Sequence, residues 1–126
     1  MTDVVPPAGG RTYDLGPRLS AVFKAETEAY SISAWWLEPD TIGPGAHQHP
    51  DDDLFFVLGG TLNFLVDGKW VDAPAGTFIR VPGGTLHDFR NAGTERAGFL
   101  NISSPGGFES AMPAIAEWFR DRDGAA

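Results

Sequence analysis

Turn-forming residues cut the stretch from Leu54 to Asn91 into short apolar runs, and this punctuation constrains the fold more than any other feature of the chain. Leu54-Phe55-Phe56-Val57-Leu58 stops at Gly59-Gly60. Thr61 to Val66 stops at Asp67-Gly68. Lys69-Trp70-Val71 leads to Ala75-Gly76, and Thr77 to Val81 stops at Pro82-Gly83-Gly84. Runs this short, rich in aromatic and β-branched residues, favour strands. Asp-Gly between two of them is a hairpin signal. With 16 Gly and 10 Pro in 126 residues, the chain is expected to be all-β. Its length supports one domain with one core.

The flanks extend this pattern. Leu19 to Lys24 reads as a first strand, Glu26-Thr27-Glu28 as a polar turn, and Tyr30 to Leu37 as a second strand. The adjacent Trp35 and Trp36 must face opposite sides of that strand, one inside and one under a neighbouring element or subunit. Residues 1–14, with Pro6-Pro7 and Gly9-Gly10, read as an extended arm, 15–104 as the β-domain and 105–126 as a tail. In the tail Phe108, Met112, Ile115, Trp118 and Phe119 recur at helical spacing. Pro113 should break or restart that helix. The stripe is expected to pack against the β-domain.

All three histidines, His47, His49 and His87, fall in the punctuated stretch or just before it. Three neutral imidazoles and a carboxylate suit one divalent transition metal, such as Fe, Ni, Mn, Cu or Zn. In a strand, positions i and i+2 share a face about 6.6 Å apart, so His47 and His49 can lean onto one ion. Pro50-Asp51-Asp52 reads as a bend that sets Asp53 at the start of the next strand. His87 must be delivered by sheet pairing.

These residues resemble the cupins, whose first motif is Gly, five residues, His-x-His, three or four residues, Glu, six residues, Gly. Their second motif is Gly, five residues, Pro-x-Gly, two residues, His, three residues, Asn. Gly76, Pro82, Gly84, His87 and Asn91 match the second at every fixed position, and His47, His49 and Gly60 match the first. The early Gly falls on Thr41, and the acid is Asp53 instead of Glu. The resemblance implies a jelly-roll barrel with a short C-terminal helix and a metal bound by His47, His49, His87 and Asp53. Within the cupins it is nearest to small single-domain proteins described as similar to quercetin dioxygenase, whose Pro-Gly-Gly-Phe-Glu ending resembles residues 105–109. It therefore implies a metal-dependent dioxygenase acting on a small enolic or aromatic substrate. A metal-dependent cyclase or isomerase and a non-catalytic small-molecule-binding module are the alternatives.

Asp53 is one methylene shorter than Glu, about 1.5 Å. Either its strand moves inward so that it ligates, or a water fills the gap and Asp53 becomes a supporting acceptor and proton carrier. The second arrangement is the expectation, because packed barrels resist shifts of that size. By alternation Phe55 and Val57 share the face of Asp53, and His87 shares a face with Phe89. Phe55, Phe89, Trp35, Trp36, Asn63 and Asn101 are candidate pocket residues, and Asn91 reads as turn chemistry.

The net charge of −8, with no basic run, argues against nucleic-acid or anionic-membrane binding. No cysteine is present, which removes disulfides and thiolate ligands. No apolar run reaches the ~18 residues of a membrane span. The first residues lack the pattern of a secretion signal, so a cytoplasmic location is expected. The outward-facing Leu54, Phe56 and Leu58 point to a homodimer through one sheet face.

Overall fold

The structure is a computed structural model that describes residues 2–124. Its strands are β1 (Arg11–Tyr13), β2 (Leu19–Glu26), β3 (Ser31–Leu37), β4 (Thr41–Ile42), β5 (Asp52–Gly59), β6 (Thr61–Val66), β7 (Lys69–Pro74), β8 (Phe78–Val81), β9 (His87–Asn91) and β10 (Ala97–Ser104). A short 3-10 helix, Phe108–Ala111, then leads into α1 (Met112–Gly124). The strands form a six-stranded sheet, ordered β1-β2-β3-β10-β5-β8, and a four-stranded sheet, ordered β4-β9-β6-β7. Every named pairing is antiparallel. The fold is all-β with a short C-terminal helix, a jelly roll of two facing sheets.

Period-two alternation decides what faces inward. In β3, Ser31, Ser33, Trp35 and Leu37 are buried and the residues between them are half-buried. Trp35 therefore enters the core and Trp36 lies on the outer face. There Trp36 packs over Gly98, where a Cβ would come within 2.3 Å of its ring. The Arg96 guanidinium lies 4.7 Å from the ring centre of Trp36, a cation–π contact. In the core, Trp35, Phe55, Phe64, Phe89 and Phe99 form a continuous aromatic cluster, with Trp35 and Phe99 stacked at 6.1 Å.

The Asp67-Gly68 turn forms as expected. Both residues have positive φ, 51° and 76°, and Val66 pairs with Lys69 across them. Within the arm expected over residues 1–14, Arg11–Tyr13 adds an edge strand to β2. The ammonium of Lys24 also donates to the carbonyls of Pro6, Pro7 and Gly9 at 3.3, 3.0 and 2.6 Å. Neither interaction is local in sequence. β2 itself extends to Glu26 through an irregularity between Phe23 and Ala25, so the polar run begins inside the strand.

Pro113 stands in the first turn of α1, where its missing N–H costs no intrahelical bond. It restarts the helix after the 3-10 turn. Met112, Ala116 and Phe119 are buried against the sheets, whereas Trp118 faces outward. Among the described residues no helix is long and apolar enough to cross a membrane. The outer face of β5 and β8 leaves Phe56, Leu58 and Phe78 exposed at 44%, 43% and 60%.

Candidate metal centre

Backbone pairing assembles the three histidines. His47 N–H donates to the His87 carbonyl at 3.0 Å, and His87 N–H donates back to His47 at 2.9 Å. This antiparallel bridge sets the two rings 4.4 Å apart, centre to centre. A second clamp fixes His49, whose carbonyl accepts from Gly84 N–H at 2.7 Å. Gly83 donates to Asp52 Oδ1 at 2.8 Å, and a Cβ at residue 83 would sit 2.1 Å from the Pro50 carbonyl. Only glycine lets the two loops lie this close. Gly83 and Gly84 thus dock the loop before β9 onto the loop before β5, and His49 faces His87 with ring centres 5.1 Å apart.

One ring nitrogen from each of His47, His49 and His87 lies within 4.8 Å of the others. His47 Nδ1 is 2.7 Å from the Gly45 carbonyl, and His87 Nδ1 is 2.8 Å from that of Thr85. A carbonyl only accepts, so both Nδ1 atoms carry hydrogen and both Nε2 atoms are directed at the centre. His49 differs: its Nδ1 is buried with no hydrogen-bond partner.

Asp53 completes the cluster. Its Oδ2 lies 2.8 Å from His49 Nε2 and 3.3 Å from His87 Nε2. Its Oδ1 accepts from Ser103 Oγ at 2.8 Å and from Asn101 Nδ2 at 3.2 Å. One oxygen is thus anchored to β10 and the other aimed at the imidazoles. Two atoms each about 2.1 Å from one ion, at right angles, stand about 3 Å apart. The shorter aspartate therefore reaches the histidines without a bridging group. The donor set of three imidazoles and one oriented carboxylate fits a divalent transition metal.

Burial pushes the Asp53 carboxyl up, but hydrogen bonds from His87, Ser103 and Asn101 outweigh it and hold the group below its usual value. For His87 burial lowers the pKa, while the hydrogen bond to Asp53 and that to Thr85 raise it more, so the net shift is upward. His47 is shifted downward, chiefly by burial. Asp88, beside His87 and bonded to Phe89 N–H, is shifted upward by burial.

The His87 shift has a consequence for binding. Its contribution to the stability of the metal-free protein is complete below the unfolded value near 6.5 and fades as pH rises through the higher folded value. That of Asp53 is present above about 3.9 and is lost as pH falls through its depressed folded value. A metal must displace the His87 proton. Metal affinity is therefore expected to fall about tenfold per pH unit on acidification, beginning above the ordinary histidine value. Competition titration with a chromophoric chelator from about pH 8 to pH 6 checks this, and a flat profile would contradict it.

The histidines line a cavity of about 550 Å³, a size typical of small-molecule sites. Of the candidate pocket residues, Trp35, Phe55, Phe89 and Asn101 line it, together with Phe99. Trp36 and Asn63 do not. Trp36 is on the outer face of β3. Asn63 sits on the outer face of β6, where its amide donates to Asp72 at 2.7 Å and its carbonyl accepts from Ala92 N–H at 3.0 Å. Leu62 and Phe64 on either side are buried, so alternation sends Asn63 outward. Asn91 is buried turn chemistry, donating to the carbonyls of Leu37, Glu38 and Glu95 and accepting from Gly93. Ser103 was not singled out from sequence. Its signal was its place two residues from Asn101 in an otherwise apolar strand, opposite Asp53 in register.

Residues 35–103 match the family model for the cupin domain, more than half of the chain. The chain belongs to the cupin family. Its fold is similar to that of KdgF from a Halomonas species, with a TM-score of 0.77 and 16% identity over 87% of this chain and 99% of that one. An RmlC-like cupin from Shewanella frigidimarina matches with a TM-score of 0.75 and 17% identity, over 86% of this chain and 96% of that one. The polyketide cyclase RemF from Streptomyces resistomycificus matches with a TM-score of 0.71 and 15% identity, over 82% of this chain and 80% of that one. No curated protein matches the sequence. At these identities the cupin neighbours establish a shared fold, and chemistry has to be argued from the site.

Proposed function

We propose that this cupin is a metal-dependent enzyme acting on a small enolic or aromatic molecule, and that its reaction is a dioxygenation. The observation that carries the proposal is the cluster of His47, His49, His87 and Asp53 in a cavity lined mostly by apolar side chains. His47, His49 and His87 would hold a divalent Fe, Ni, Mn, Cu or Zn ion, with Asp53 Oδ2 as a fourth donor. When bound, such an ion supplies Lewis-acid polarisation of a substrate oxygen and, for the redox-active metals, reactivity towards dioxygen.

The chain's own residues do the rest. Trp35, Phe55, Phe89 and Phe99 exclude water and hold a flat substrate by its faces and edges. Gly45 and Thr85 carbonyls keep the His47 and His87 rings oriented. Ser103 and Asn101 hold Asp53 Oδ1 and so aim Oδ2 at the histidines; were a water to take the fourth position instead, that oxygen would be free to accept a proton from a substrate hydroxyl. Direct ligation by Asp53 is supported by its 2.8 and 3.3 Å approaches.

A second reading, a metal-dependent cyclase or isomerase, draws support from the same oriented carboxylate and from the likeness in fold to a polyketide cyclase. Oxygen uptake decides between them. Metal-loaded protein given a flavonol and a panel of enolic compounds is expected to consume oxygen in proportion to substrate lost. Turnover without oxygen consumption would establish the isomerase or cyclase. Tight binding with no turnover would reduce the protein to a binding module.

We also infer pairing of two copies through the exposed Phe56, Leu58 and Phe78. Light scattering should give a dimer that Phe56→Lys converts to monomer or aggregate. A monomeric unaltered protein would end that idea.

A further inference from the structure

The cavity has two walls of different origin. Trp35, Phe55, Phe89 and Phe99 stand, with the histidines, inside the segment 35–103 that matches the cupin domain. A second part of the lining is built by Phe108, Ser110, Ala111, Ile115 and Phe119, all beyond that segment. The C-terminal stripe therefore packs on the barrel and also encloses the site.

This second wall is tied down at both ends. At its start Gly106 N–H donates to the Glu28 carbonyl at 2.9 Å, and a Cβ there would lie 1.7 Å from the Thr27 carbonyl. Ser31 Oγ donates to Glu109 Oε1 at 2.8 Å. At its end Arg122 donates to the carbonyls of Ile42 and Gly43, each at 2.9 Å, on the loop that leads to His47. The wall is thus held at a set distance from the histidines by bonds to the barrel on both sides.

Neither wall offers a cation. No lysine or arginine lines the cavity, and its acidic residues are Asp51 and Asp53. A carboxylate or the hydroxyls of a sugar driven against this wall would lose their hydration with Ser110 the one hydroxyl there to meet them, and a carboxylate would also face like charge. Apolar rings meet the opposite situation: Phe108 and Ile115 present hydrocarbon to the same cavity as the stacked pair Trp35 and Phe99.

We propose that the segment Phe108–Phe119 is the specificity-determining wall of this site. It admits a ring system whose only ionisable oxygens face His47, His49 and His87, and it excludes sugar acids and small dicarboxylates. What happens at the histidines rests on the metal-enzyme reading above, whereas the holding of the rings does not.

The test titrates metal-loaded and metal-free protein with 3-hydroxyflavone, oxalate and galacturonate, by tryptophan quenching and calorimetry. 3-Hydroxyflavone is expected to bind both forms, at least about tenfold tighter than either acid. Ile115→Trp fills the cavity and should weaken 3-hydroxyflavone by about tenfold or more while metal content stays unchanged. Ala111→Trp repeats the test at an exposed position that puts the fold at less risk. Ile115→Arg should narrow the gap between 3-hydroxyflavone and galacturonate. Either acid binding the unaltered protein as tightly as 3-hydroxyflavone would overturn the proposal. So would folded tryptophan variants with undiminished affinity. Binding of 3-hydroxyflavone without turnover of any compound would remove the enzyme reading and leave the wall standing. Metal-dependent turnover of oxalate or galacturonate would do the reverse.

Discussion

His49→Ala is expected to strip the metal from a barrel that stays folded. His49 is half-buried at the cavity edge, and its backbone clamp to Gly84 survives the substitution. What disappears is one imidazole of three, together with the Asp53 partner 2.8 Å away. Losing a residue that only supports a ligand typically costs 10–100-fold in metal affinity. Losing a ligand should cost more, so affinity is expected to fall by more than about 100-fold. Elemental analysis after dialysis, with circular dichroism to confirm the fold, reads the result. Full metal content in the variant would remove His49 from the site. The same measurement places Asp53. If it ligates, Asp53→Ala should match His49→Ala, and Ser103→Ala should show the smaller supporting loss. If a water intervenes, Asp53→Ala should spare the metal and reduce turnover instead.

Phe64→Ala should produce the largest loss of stability among single core changes that leave the cavity lining intact. Phe64 is 1% exposed and lies 5.1 Å from the ring of Phe55 and 6.0 Å from that of Phe99. It does not line the cavity, so its removal tests packing alone. Truncating a buried Phe usually costs about 3–5 kcal/mol through lost burial and the void left behind. In a domain of this size that lowers the thermal midpoint by on the order of 10–20 °C. Phe56→Ala is the control. Phe56 sits on the outer face of β5, in the other sheet, and is 44% exposed, so it should cost little in a monomer. A drop for Phe56→Ala equal to that for Phe64→Ala would place Phe56 in a buried interface. A negligible drop for Phe64→Ala would contradict the packing described.

Much of the cluster of His47, His49, His87 and Asp53 was legible from sequence because its parts obey local rules. His-x-His with a bend and an acid needs only strand periodicity and turn chemistry. Gly76, Pro82 and Gly84 ahead of His87 mark a sharp return of the chain. Alternation correctly placed Phe55, Phe89 and the outward-facing Leu58. The same alternation, applied to Leu62 and Phe64, would also have sent Asn63 outward. For Trp35 and Trp36 it required opposite faces but could not say which was inner. That depended on the neighbours: glycine at position 98 opens a seat for Trp36 outside, while Phe99 and Phe89 receive Trp35 inside.

What this sequence determined by itself was the set of short strands, their turns, and a pattern of three histidines and an acid at the strand ends and the loops that join them. Those follow from interactions between residues a few positions apart. Only the tertiary structure decided that His47 and His87 share a backbone bridge, that Ser103 and Asn101 hold one oxygen of Asp53, and that the C-terminal segment walls the cavity. Each of these joins residues distant in the chain. Their register and distance are set by how two sheets and a helix pack together, a property no local pattern of residues encodes.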